Sequence, residues 1–238
     1  MKILALETTE KSGSVAVLDG KRILGKTELP KNRRSSQTLH PAMLTLLQQT
    51  NVRPAEIGLV AAVAGPGSFT GLRVGITTAK IFAYAVNAEI AAFDTFHVTA
   101  AGTEHNGILS IGVDAQRGEV AAGLFRRTTE GGIDTIAEPV LMPFDDWQKH
   151  TERYENLMFT GPALERWRQR FTIKAVFAAE KDWFPKAEIA GQLAADRHAA
   201  GNTQNFWTLL PIYSRLSAAE EKRNAPVAPN STQPAMEQ

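Results

Sequence analysis

Ile111-Gly112-Val113-Asp114-Ala115-Gln116, returning through Gly118-Glu119-Val120-Ala121-Ala122-Gly123-Leu124, is the stretch whose reading decides the fold. It restates a pattern used at the start of the chain. There Leu4-Ala5-Leu6-Glu7-Thr8-Thr9 leads through a polar turn to Gly13-Ser14-Val15-Ala16-Val17-Leu18. Each copy ends an apolar strand on a carboxylate, turns on small polar residues and returns through a glycine into a second apolar strand. One such hairpin is common. Two in the same order and spacing favour an α/β chain built as two related lobes.

Around the first copy, strands fall at 2–7 and 14–18, and Asp19-Gly20 is a hairpin signal leading into a third at 22–29. Leu39, Ala42, Met43, Leu46 and Leu47 share one face of a helix over 38–50, with Thr38 as N-cap and Pro41 in the first turn. The apolar run 57–64 suits a strand buried on both faces. A helix over 70–85 stops at Asn87, and a strand follows at 89–93. The second copy contributes strands at 108–114 and 119–125. Beyond it 144–151, 163–171 and 187–200 read as helices and 157–160 as a short strand. Residues 224–238, with three prolines and few large apolar groups, read as a disordered tail. The expected division is a first lobe over 1–102, a second over 103–223 and the tail.

Composition excludes several classes. The 238 residues carry 26 Lys+Arg against 25 Asp+Glu, so no broad phosphate-binding surface is advertised. Two basic clusters, Lys31-Asn32-Arg33-Arg34 and Arg166-Trp167-Arg168-Gln169-Arg170, read as solvated faces. The absence of cysteine removes disulfides, thiolate zinc sites and a cysteine nucleophile. The opening apolar run is too short for a signal peptide, and no stretch approaches the ~20 apolar residues that span a bilayer, so a cytoplasmic protein is expected.

Gly65-Pro66-Gly67-Ser68-Phe69-Thr70-Gly71-Leu72-Arg73-Val74-Gly75 leaves a buried strand and opens a helix, where backbone N–H groups can meet an anion. It is neither a Walker loop nor a dinucleotide fingerprint. Gly71, Gly75, Ala79 and Ala83 recur every four residues and give the helix one face without bulk. A helix interior pays about 1 kcal/mol per glycine, so close packing must compensate. This favours a helix–helix seam, internal or between subunits, over a phosphate cradle. The five histidines (40, 97, 105, 150 and 198) include no i, i+4 pair, and no metal site is expected. Ser68 does not sit in a Gly-x-Ser-x-Gly elbow, and no His or Asp can be assigned to it.

The glycine-rich run, the opening Ile3-Leu4-Ala5-Leu6-Glu7-Thr8-Thr9, the turn Val113-Asp114-Ala115-Gln116-Arg117-Gly118-Glu119-Val120 and the closing Pro211-Ile212-Tyr213-Ser214-Arg215 together resemble the TsaB (YeaZ) family. The landmarks run in order from residue 3 to about 216. The resemblance implies a duplicated actin-like, Hsp70-like (ASKHA, ribonuclease H-like) two-lobe fold. It implies a non-catalytic subunit that activates a TsaD-like catalytic partner, beside a TsaE-like ATPase, in threonylcarbamoyladenosine modification of tRNA. A TsaD-type first helix carries a His-x-x-x-His metal pair; here only His40 is present, with Leu44 at the second position.

The same resemblance places the partner interface, with TsaD or with a second copy, on the first two long helices. That implies Leu39, Ala42, Met43 and Leu46 on one, and Ser68, Phe69, Gly71, Leu72, Gly75, Ile76 and Ala79 on the other. tRNA would be reached through the complex, and no membrane is involved. Glu7, Thr8 and Asp114 stand where the superfamily holds metal and phosphates, and mark a vestigial nucleotide site unless they only cap their turns. The adenosine-binding Gly-Gly pair is matched by Gly161-Pro162, which puts autonomous ATP binding in doubt. No firmly bound cofactor is expected, with ATP or ADP confined to the partner interface. Rival readings are an ATP-dependent phosphotransferase using Glu7, Asp114 and the glycine loop, a peptidase, and a self-associating scaffold.

Overall fold

The computed structural model describes residues 1–128, 132–149 and 154–215. Lys2–Glu7 (β1), Ser14–Asp19 (β2) and Arg22–Glu28 (β3) form an antiparallel meander; Ile57–Gly65 (β4) and Glu89–Asp94 (β5) add in parallel, giving the order β3-β2-β1-β4-β5. The β2–β3 hairpin closes on Gly20-Lys21, with Asp19 facing Arg22 and Gly20 at φ +56°. Period-two alternation sorts β1 between two cores. Leu4 and Leu6 point to one face, Ile3 and Ala5 to the other, and all four are buried.

The first face is covered by Ser35–Gln49 (α1) and Phe69–Val86 (α2), whose Leu39, Met43, Leu46, Ile76 and Ala79 pack against Leu4, Leu6, Val15 and Val17. Asn87 ends α2 in the left-handed conformation, as the sequence indicated. The start of α1 differs from expectation. Arg34, not Thr38, is its N-cap; Thr38 lies in the second turn and donates back to the Arg34 carbonyl at 3.3 Å. Pro41 therefore sits in the helix interior, on the exposed side. Water can serve the carbonyl its missing N–H leaves free.

Ile108–Asp114 (β6), Glu119–Arg127 (β7), Ile133–Pro143 (β8), Leu157–Thr160 (β9) and Val176–Phe177 (β10) form a second sheet in the order β10-β9-β6-β7-β8. Here too the first three strands are antiparallel and the last two parallel, so the second sheet repeats the first strand for strand. β8 escaped the sequence reading because Pro139 and Pro143 interrupt it, and prolines are tolerated in it because it is an edge strand. The helix expected over 144–151 is Phe144–Gln148 (α4), and residues 150–151 lie outside the described ones. The helix expected over 163–171 is Leu164–Trp167 (α5) followed by a 3₁₀ turn over Arg168–Arg170. The expected tail, 224–238, also lies outside the described residues.

Two helices cross between the halves. Thr95–Gly102 (α3) follows the first sheet in sequence but places Phe96 and Ala100 on Leu109, Ile111, Ala121 and Phe125 of the second. Ala187–Ala199 (α6) follows the second sheet but lays Ala187, Ala190 and Ala194 on Ile3, Ala5, Ala16 and Leu18 of the first. Residues 187–199 therefore cover the first sheet, although they follow the second in sequence. α3 was missed because Thr95, Phe96, Val98, Thr99 and Ala100 are all buried, leaving no one-sided stripe to read.

Candidate functional site

Between the lobes lies a cleft of about 920 Å³, walled by the turn after β1, the start of α2, the turn after β6, α5 and residues 213–215. The size suits a small ligand. Glu7 ends β1 fully buried. Its Oε1 accepts from the Thr9 N–H at 2.5 Å and the Thr9 hydroxyl at 2.7 Å, while Oε2 has no partner among the described residues. Burial pushes its pKa from an ordinary 4.5 up to about 7, against the lowering effect of the Thr9 hydrogen bonds.

Thr8 is equally buried and faces α2, donating from Oγ1 to the Gly71 carbonyl at 2.8 Å. A Cβ on Gly71 would overlap the Thr8 carbonyl oxygen, and one on Gly75 would overlap Thr8 Oγ1. The small-residue stripe is therefore an internal seam, made by a helix against a strand turn rather than by two helices. Gly67 is constrained in the same way. Ser68 N–H donates to the Thr9 carbonyl at 2.7 Å, and a Cβ on Gly67 would stand 2.5 Å from that same oxygen. Ser68 caps α2 by accepting from Gly71 N–H at 3.2 Å.

Of the three residues expected to hold a nucleotide, only Asp114 lines the cleft, and its oxygens are already engaged. They accept from Gln116 N–H at 3.1 Å, Arg166 Nη1 at 3.1 Å, Gln116 Nε2 at 3.4 Å and Trp167 Nε1 at 3.4 Å. Glu10, not singled out from the sequence, is a second perturbed acid. Burial first, then the carboxylates of Glu7, Glu165 and Asp114, raise its pKa well above the ordinary value. Arg166 pairs with Asp114 and Arg215 with Glu119, so among the described residues lining the cleft Lys11 is the cation left outside an ion pair. A phosphate chain entering here would face Glu10 and Glu165. Pro162 lines the cleft where a second glycine would offer an N–H. Among the described residues no three His, Asp or Glu side chains converge to hold a metal.

The residues expected at a partner interface divide sharply. Leu39, Met43, Leu46, Gly71, Leu72, Gly75, Ile76 and Ala79 are buried in this chain and serve its own core. Ala42 is half-buried, and Ser68 and Phe69 are exposed. What α1 and α2 turn outward is Leu44 (60% exposed), Ile81 (63%) and Tyr84 (66%). The C-terminal segment lies along α2: Lys80 Nζ donates to the carbonyls of Trp207 (3.3 Å) and Leu209 (3.1 Å), and Arg73 Nε donates to Tyr213 OH at 3.2 Å. Tyr84 stands 5.8 Å from Trp207, which is 68% exposed, so an apolar surface runs from the helix onto this strap. The sequence signal for the strap was the closing Pro211–Arg215 landmark alone.

A sheet of this order, made twice around an interlobe cleft, defines an actin-like (ASKHA) α/β protein. The solved structure described as YeaZ from Pseudomonas aeruginosa shares the fold, with a TM-score of 0.74 and 23% identity over 89% of this chain and 99% of that one. A family model, "TsaD: tRNA N6-adenosine threonylcarbamoyltransferase", matches residues 28–221. The chain belongs to that family, and within it to TsaB/YeaZ. Two relatives named "tRNA threonylcarbamoyladenosine biosynthesis protein TsaB" match nearly end to end. The one from Bacillus subtilis is 27% identical over 93% of this chain and 97% of its own length. The one from Escherichia coli is 26% identical over 93% and 98%. No helix among the described residues is long and apolar enough to cross a membrane.

Proposed function

We propose that this cytoplasmic chain takes part in threonylcarbamoyladenosine formation on tRNA as a non-catalytic subunit, docking a TsaD-like catalytic partner on the outer surface of α1 and α2. A TsaE-like ATPase completes the set, and the same surface can pair two copies of the chain when the partner is absent. The observation that carries the reading is the state of the strand-end acids. Asp114 is consumed by Arg166, Trp167 and Gln116, and Glu7 is sealed beneath Thr9, so neither is free to hold a metal–phosphate group. Support for docking comes from Leu44, Ile81, Tyr84 and Trp207, large side chains left mostly in water; covering each recovers part of the about 1.5–3 kcal/mol that full burial of a large apolar side chain gives. Any ATP or ADP belongs at that interface rather than in the cleft, where among the described residues Lys11 is the cation left outside an ion pair and Pro162 offers no N–H.

The test is the threonylcarbamoyladenosine content of tRNA after incubation with the TsaD-like and TsaE-like proteins, with and without this chain. Product that requires the chain, together with no ATP binding by the chain alone, supports the reading. Full product in its absence, or ATP turnover by the isolated chain, overturns it in favour of a phosphotransferase.

A further inference from the structure

The arginine run after α5 is the sequence motif that the partner role leaves unused. Trp167 is buried with Phe144 and Trp183 in the aromatic core of the second lobe, and the 3₁₀ turn that follows turns Arg168 and Arg170 to the surface. Each guanidinium is laid on core rings. Arg170 stands 4.7 Å from the Trp167 centroid and 5.6 Å from that of Phe144; Arg168 stands 5.5 Å from Phe177 and 5.8 Å from Trp183. Cation–π contact of this kind holds the group in place without neutralising it. Their charges stay largely free. Arg168 reaches Glu180 only at 3.9 Å, with both side chains at least half exposed, and Arg170 joins no ion pair among the described residues. Lys174, four residues on, is exposed and equally unpaired.

We propose that Arg168, Arg170 and Lys174 form a contact surface for the sugar–phosphate backbone of RNA; the choice of tRNA as that RNA rests on the function proposed above. A pre-oriented guanidinium fork matches phosphate oxygens in a way a mobile lysine cannot. Trp167, Phe144 and Trp183 beneath them are buried and Phe177 is half-buried, so none of these rings stands open as the aromatic anchor that a protein interface is built around. Backbone contacts need no such anchor. Three contacts give weak, salt-sensitive, sequence-independent binding, in keeping with a chain whose net charge is +1.

The experiment measures binding of the full chain to an unmodified tRNA transcript by fluorescence anisotropy across a salt series. Replacing both arginines (Arg168→Gln with Arg170→Gln) lowers affinity several-fold and reduces the log–log salt slope by about 2. Lys174→Gln, which disturbs no core ring, reduces it by about 1 and keeps the test valid should the double variant melt early. Arg→Lys at 168 and 170 keeps the slope. Absence of tRNA binding by the wild type, or an unchanged slope in both Gln variants, overturns the proposal, as does preferential binding of a polyglutamate peptide. Threonylcarbamoyladenosine formation that still requires the chain in such a case would leave the partner role standing and sink the RNA contact alone.

Discussion

Gly75→Ala sets two effects of opposite sign against each other. Helix propensity favours alanine over glycine by about 1 kcal/mol in a helix interior. The structure argues the reverse, because the new Cβ would occupy the space of Thr8 Oγ1, which is buried and donates to Gly71 O at 2.8 Å. Overpacking a close contact costs about 1–3 kcal/mol, and losing a buried hydrogen bond about 1 more. The net expectation is a loss of about 1–3 kcal/mol, or about 3–10 °C in Tm for a chain of this length. Thr8→Ala removes the obstructing oxygen, so the double variant should recover, with a coupling of at least about 1 kcal/mol. Gly71→Ala should show no such recovery, since its obstacle is the Thr8 backbone carbonyl. Far-UV circular dichroism during urea unfolding is the appropriate assay, because it follows the helix and the sheet that meet at this seam. A Gly75→Ala variant more stable than wild type would refute the internal seam and return the small-residue face to a partner.

Glu7 should make stability pH-dependent with an unusual sign. Its folded pKa is raised from 4.5 to about 7, so its contribution is fully present below about 4.5 and is lost as pH rises through about 7, a swing on the order of 3 kcal/mol. Denaturation profiles of wild type and Glu7→Gln should therefore diverge across that window, and parallel profiles would remove the burial argument. Leu44→Glu or Ile81→Glu, both on exposed side chains, should leave Tm unchanged and weaken binding of the TsaD-like partner at least tenfold by calorimetry, since about 1.4 kcal/mol suffices. Asp114→Asn should leave threonylcarbamoyladenosine yield within about twofold, the Arg166 pair being half exposed and worth at most about 1 kcal/mol; a collapse in yield with the fold intact would reinstate a catalytic carboxylate. Fragment 1–102 lacks α6, the cover of Ile3, Ala5, Ala16 and Leu18, and should fail to give a cooperative melt on its own.

The frame was legible because its signals are local. Asp19-Gly20, Asn87 and the repeated strand–carboxylate–turn each declare themselves within a few residues. What stayed hidden depends on contacts distant in sequence. Gly71 and Gly75 read correctly as a close-packed face, yet the thing packed there is Thr8, 63 residues from Gly71, and no periodicity points to it. The same blindness explains the interface. Leu39, Met43 and Leu46 were as apolar as any docking residue, and only the position of β1 and β2 shows that the chain's own core claims them. Leu44, the residue in place of a metal-site histidine, proves to be the outward one. Glu10 carried no signal, because its perturbation comes from burial first and then from carboxylates at 7, 165 and 114, all of which the fold alone assembles.

An interlobe cleft that works on a nucleotide needs lobes free to close, through a few residues that absorb the change in backbone angles. Here the lobes are tied in three separate places. α3 is rooted in the second core, α6 is rooted in the first, and the strap runs from Ile212, bonded to the Ala64 carbonyl, to Arg215, paired with Glu119. Closing the cleft would require shifting α3, packed through Phe96 and Ala100, and α6, packed through alanine and glycine. Gly191, whose missing Cβ leaves room for Leu18, has no slack to give. A chain locked in this way is poorly suited to a cycle of opening and closing. It is well suited to holding α1, α2 and the strap as one fixed surface, which is what an organising subunit must offer its partner.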